Sequence, residues 1–113
     1  MRTDLGMSPG KIASQAGHAY LGAFLQASSS FQNEYHSEFP QHPGTKVCLQ
    51  AKNLYSLFRA KQEAEEADIP TYLVTDSGCA NFFNGEPTIT ALGLGPATKD
   101  QINKITRRFQ LME

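Results

Sequence analysis

Apolar residues recur at three- and four-residue intervals from Ile12 through Ala16, Tyr20, Ala23 and Phe24 to Ala27. That spacing lines one side of a helix, so a helix is expected over about Lys11 to Ala27. Pro9 lies near its start, where a missing N–H does least harm. At about 100° per residue, Lys11, Gln15, His18 and Gly22 gather on the other, polar side. The period then fades. Ser28 to Gly44 is rich in Ser, Gln, His and Pro and reads as a loop with at most one short helical turn. "TKVCLQA" alternates Val47 and Leu49 with Lys46, Cys48 and Gln50, the pattern of a short strand. Asn53 is a cap for a second helix, which buries Leu54, Leu57 and Phe58 and runs into the acidic, solvated "EAEEAD". Pro70 stops it, and "TYLVTD" reads as a largely buried strand. "EPTITALGLGP" is a further strand that ends at glycines and a proline. Thr98 and Gln101 match a capping box, with Ile102, Ile105 and Phe109 as the inner face of a last helix.

Helices alternating with strands indicate the α/β class, a central sheet covered on both faces. The strand expected before the first helix has only Met1 to Leu5 to form it, so it is very short or truncated. A chain of 113 residues suits one domain, 1–113, and not comfortably two. Hydrophobic residues at 40% and charged residues at 19% are ordinary for a globular fold and argue against disorder. A net charge of −1 weighs against coating nucleic acid along its length, while leaving room for a local basic site at one end of an RNA. Cys48 and Cys79 form no CxxC pair and suit a reducing compartment. With no apolar run of membrane-spanning length and no signal-peptide core, the expected location is cytoplasmic.

In open α/β sheets, ligands bind outside the carboxyl ends of the parallel strands. The Gly-Lys turn lies at that end of the first strand, and Asp76 marks the same end of "TYLVT". If the last strand runs back antiparallel, its opening residue Thr88 starts beside Asp76. Lys11 near a helix N-terminus is placed for an anion, although a solvated lysine gives the same local sequence. "GMSPGKI" is a poor P-loop: three residues separate Gly6 and Gly10, and Ile12 stands where magnesium needs Ser or Thr. His18 is a candidate acid/base or ligand donor, and Gln15 a candidate for orienting a carbonyl or ribose. Asp76 before Ser77-Gly78 either handles a proton or fixes the turn. Cys79 lacks a supporting Cys-His pattern. His36 and His42 with Glu34 and Glu38 fit no standard zinc spacing, so no metal and no cofactor is expected.

"RTDLGMSPGKIASQAGHA", "IPTYLVTDSG" and "GEPTITALGLGPA" together resemble the successive blocks of the type-2 peptidyl-tRNA hydrolase family. The likeness runs from Arg2 to the last helix, with Ser28 to Gly44 the least matched part. It implies a three-layer α/β/α sandwich on a four-stranded mixed sheet, in order 2-1-4-3 with the fourth strand antiparallel. It also implies metal-independent cleavage of the ester between peptide and tRNA, with the acceptor end of peptidyl-tRNA as partner. Lys11, Asp76 and Thr88 match the family's proposed catalytic positions; Gln15, His18, Ser77 and Gly78 are expected to bind substrate. Departures are Ala80 in place of a family threonine, Cys79 in place of a basic residue, and Pro9 in place of a lysine. Phe82 and Phe83 replace smaller or polar residues, and either stack on a terminal base or anchor their loop. Lys99, Lys104, Arg107 and Arg108 are candidates for steering the acceptor stem. Dimers occur among proteins of this kind, though no stripe here demands a homodimer. The rival readings are an RNA- or protein-binding module that kept the fold and lost the chemistry, and a hydrolase of another small acyl ester or amide.

Overall fold

The structure, a computed structural model, describes residues 1–38, 43–77 and 85–113. In chain order the elements are α1 (Pro9–Gln26), α2 (Ser29–Glu38), α3 (Leu54–Glu66), β1 (Thr71–Asp76), β2 (Thr88–Leu94) and α4 (Lys99–Thr106). All four helices start where a side chain satisfies otherwise orphaned N–H groups. Ser8 accepts from the Lys11 N–H at 3.2 Å, Asn53 from Ser56 at 2.9 Å, and Thr98 closes a full capping box with Gln101. Ser28 does the same for α2, accepting from the Phe31 N–H at 3.1 Å.

That fourth helix corrects the loop expected over Ser28 to Gly44. Its residues show no amphipathic period because it buries none of them. It is held instead by its cap and by ring contacts, with Phe24 of α1 5.4 Å from Tyr35 and 5.5 Å from His36, both edge to face. A second correction concerns α3, where Leu57 is buried but Phe58 is 43% exposed; the inner stripe continues through Ala60 and Ala64.

β1 and β2 pair antiparallel as a two-stranded sheet, Thr71 opposite Leu94 at one end and Asp76 opposite Thr88 at the other. A four-stranded sheet is not seen among the described residues. The two other segments expected as strands make only isolated bridges, Arg2 with Ala51 in parallel and Leu49 with Leu111 antiparallel. Single backbone bonds still tie them in line: Arg2 N–H to Thr90 O at 3.0 Å, and Thr3 N–H to Ala51 O at 2.9 Å. The segment then turns away at Gly6, whose φ is +65°.

The sheet separates two apolar clusters. On the α1 side, Met1, Ala19, Val74 and Ala91 pack with Met7, Ile12 and Ala16. On the other side, Ala60, Ala64, Ile69 and Ile105 pack with Leu92, Leu94 and Phe109. α1 lies close to the strands because small residues permit it. A Cβ on Gly93 would sit 2.1 Å from the Ala19 carbonyl oxygen, and one on Gly22 would sit 2.2 Å from the Tyr72 ring. Among the described residues, no helix is long and apolar enough to cross a membrane.

Candidate functional site

Asp76 ends β1, and α1 lies over that end of the strand. The Lys11 ammonium, from the first turn of α1, donates to Asp76 Oδ2 as an ion pair. One turn further along, the Gln15 amide donates from Nε2 to the same oxygen at 3.4 Å. Residues 65 and 61 positions apart in sequence thus meet on one carboxylate. The Lys11 and Asp76 side chains keep only 16% and 11% of their exposure, so the pair is shielded while still reaching solvent. Shielding strengthens the attraction relative to a surface pair and raises the cost of removing either partner.

Gln15 itself is 3% exposed. This overturns the expectation that Lys11, Gln15, His18 and Gly22 form an outward polar face. Lys11, Gln15 and Gly22 turn toward the sheet and continue the stripe of Ala19 and Ala23; His18 is exposed. A helix crossing the sheet rim can bury polar side chains where the strand end offers a partner, and Asp76 is that partner.

Thr88 lies directly opposite Asp76 in register. Residues facing one another across an antiparallel pair share a face, so Thr88 belongs to the same rim. Its hydroxyl donates to the Glu86 carbonyl at 3.0 Å. The register shifts between Val74 and Thr75: Val74 faces Ala91, whereas Thr75 faces Ile89. Thr90 is therefore the extra residue of a β-bulge. Without the bulge, strict alternation would set Thr88 on the side of Leu92 and Leu94, away from Asp76. Arg2 secures the bulge: its backbone N–H bonds to Thr90 O at 3.0 Å and its guanidinium to Ile89 O at 2.9 Å. The guanidinium also clasps Asp4 at 3.0 and 2.7 Å, a hydrogen-bonded pairing that holds the Asp4 carboxyl below its ordinary range.

The structure thus brings together Lys11, Gln15, Asp76 and Thr88. Ser77 follows Asp76 and is exposed. Gly78, Cys79, Ala80, Phe82, Phe83 and His42 lie outside the described residues. On α4 and just beyond it, Lys99, Lys104 and Arg107 are exposed. Arg108 is engaged, donating to Glu63 at 2.8 Å and lying 4.8 Å over the Phe109 ring. No cluster of three or more His, Cys, Asp or Glu suited to a metal occurs among the described residues. Thr90 is the participant that sequence reading overlooked, and its only signal was the phase slip from Thr88 and Thr90 to Leu92 and Leu94 within one strand.

Fold and site together define an α/β protein with an ammonium–carboxylate–amide cluster at the rim of its sheet, a set suited to handling a water and a developing negative charge. Comparison with known proteins narrows the class. The sequence model described as "Peptidyl-tRNA hydrolase PTH2" matches residues 1–112, and the chain belongs to that family. It is similar to proteins named peptidyl-tRNA hydrolase from Methanopyrus kandleri (35% identical, covering 99% of this chain and 93% of that one) and Thermococcus onnurineus (35%, 99% and 92%). The protein of that name from Methanothermobacter thermautotrophicus is 36% identical, with 99% and 95% coverage.

Proposed function

We propose that this protein is an enzyme that hydrolyses the ester joining peptide to tRNA in peptidyl-tRNA, with Lys11 and Asp76 at the reacting centre. The observation that carries the proposal is their convergence, with Gln15, at one shielded rim of a family-typical chain. Asp76 is positioned to orient a water and take its proton as the water oxygen adds to the ester carbonyl. Negative charge then builds on the carbonyl oxygen, where a preorganised cation is worth a few kcal/mol; Lys11 supplies it. Collapse breaks the carbon–oxygen bond to the ribose, the departing oxygen takes the proton, and peptide carboxylate and free tRNA leave. Thr88 positions water or substrate. His18, Ser77 and Gly78 are assigned to substrate binding from their match to the family pattern, and no step requires a metal or cofactor.

The wider frame we propose is one domain over 1–113, its short segments aligned in the family's order 2-1-4-3. The Arg2–Thr90 and Thr3–Ala51 backbone bonds support that order. The exposed Lys99, Lys104 and Arg107 are assigned to acceptor-stem phosphates, and the working location is the cytoplasm, where charged tRNA is found. A homodimer remains compatible with this frame. A pure binding module is not favoured, since relatives named for the hydrolase match nearly the whole chain.

The test is single-turnover cleavage of a model peptidyl-tRNA. Lys11→Ala and Asp76→Ala are each expected to slow cleavage by about 10²–10³-fold, the range seen when one charge-stabilising donor is removed. Equal rates in wild type and both variants would remove the mechanism.

A further inference from the structure

We propose that Thr90 is a positioning residue for the hydrolytic site, acting on Asp76 only through the Gln15 amide. This rests on the reading of Lys11 and Asp76 given above. Thr90 is completely buried, and its hydroxyl donates to Gln15 Oε1 at 2.5 Å. Gln15 in turn presents Nε2 to Asp76.

The polarity of this chain is forced by the chemistry of its members. An ionised carboxylate only accepts, so the end of the Gln15 side chain facing Asp76 must be its NH2 group. The opposite end is then the carbonyl oxygen, and it needs a donor. In that buried place the Thr90 hydroxyl is the donor, with its other neighbouring acceptor, the Val74 carbonyl, at the longer distance of 3.5 Å. A valine at 90 would keep the shape and remove the donor. The Gln15 carbonyl would then be buried unsatisfied, and the amide would have no preference against turning its oxygen toward Asp76, where it repels the carboxylate. The bulge makes the arrangement possible, because it directs both Thr90 and its neighbour Ala91 to the α1 side.

The experiment compares wild type, Thr90→Val, Thr90→Ser, Gln15→Met and the Gln15→Met/Thr90→Val double variant, with thermal unfolding recorded for each. Thr90→Val is expected to lower kcat for model peptidyl-tRNA about tenfold at little-changed KM, the size of one lost hydrogen bond. Thr90→Ser should restore most of that loss. In the Gln15→Met background, Thr90→Val should cost nothing further, because the group it acts through is gone. The side-chain amide 15N–1H signals of Gln15, identified by their loss in Gln15→Met, should shift in Thr90→Val and return in Thr90→Ser. Should Thr90→Val not fold, Thr90→Ala against Thr90→Ser carries the same comparison. Unaltered kcat in Thr90→Val, or an equal loss with and without Gln15, overturns the proposal. Full activity in Asp76→Asn would instead overturn the underlying reading of the site; an inactive Asp76→Asn beside a fully active Thr90→Val would sink the role of Thr90 alone.

Discussion

On the α1 side of β2 stand Thr88, Thr90, Ala91 and the bare Gly93, whereas Leu92 and Leu94 stand on the side of α3 and α4. Leucines on the second side fill space between helices and strand with no polar atom to satisfy. The first side is cut down to small and hydroxyl-bearing residues, so that α1 can come close and bury Gln15 against Thr90 while Lys11 reaches Asp76. One seven-residue strand therefore holds the core on one face and tunes a polar site on the other. The bulge at Thr90 separates these tasks along the strand as well as across it.

If the faces are independent, damage to each should be read by a different measurement. Asp76→Asn should lower kcat/KM for model peptidyl-tRNA by at least about 100-fold. Ile105, 5% exposed in the α3–α4 cluster, offers the converse. Ile105→Ala should cost about 2–4 kcal/mol in denaturant unfolding through lost burial and the cavity left behind. At a temperature where it is still folded, its kcat/KM should stay within about twofold of wild type, since distant sites add independently. A large loss of kcat/KM in folded Ile105→Ala would show that the apolar face tunes the site, and the division would fall.

Gly93→Ala tests the small-residue side directly. The added methyl meets the backbone of Ala19, which cannot swing aside as a side chain can, so α1 must move away from the strand. Overpacking of this kind costs about 1–3 kcal/mol. Because the same helix carries Lys11 and Gln15, activity should fall together with stability, unlike Ile105→Ala. In Gly22→Ala the nearest obstacle is the Tyr72 ring, a side chain 38% exposed that can shift, so this variant should be the milder of the two. Equal Tm values for wild type and Gly93→Ala would refute the close-packing account.

Much of the frame could be read in the sequence because local chemistry determines it. Asn53, Thr98 and Gln101 mark helix starts through bonds made within a few residues, and the structure has those starts where expected. α3 instead ends at Glu66, short of the Pro70 stop, where Asp68 takes a positive φ and the Ile69 N–H closes on the Ala64 carbonyl. Asp76 and Thr88 met because an antiparallel return brings a strand's first residue beside its neighbour's last. What was hidden depended on tertiary partners. Gln15 looked solvated because its burial requires Asp76 and Thr90, neither of which is near it in sequence. α2 has no period since nothing covers it, and only Ser28 announced it. The strand expected within "TKVCLQA" from its alternation, and the one expected at Met1–Leu5 from the fold class, make isolated bridges in place of ladders. The bulge was written in "TITALGL" as polar residues changing phase against leucines, a signal that carries meaning only once the pairing register is known.

The smallest expected effect lies on the α3–α4 side, where electrostatics is peripheral. Glu63 of α3 accepts from Arg108 at 2.8 Å and from Arg59 at 3.2 Å. The Arg108 hydrogen bond, followed by the charges of both arginines, holds the Glu63 carboxyl below its ordinary range. A depressed folded-state value means that the stabilisation is present above the unfolded-state range and is lost as pH falls through the folded-state one. Glu63→Gln should therefore flatten only the acid limb of a stability–pH curve. Exposure limits the size: such pairs are worth about 0.2–1 kcal/mol, and salt screens them. Urea unfolding of wild type and Glu63→Gln at neutral and acidic pH, in low and high salt, reads this difference. A gap that persisted in high salt, or that grew as pH fell, would mean Glu63 contributes by packing and not by charge, and would put a polar determinant on the face that otherwise relies on apolar burial alone.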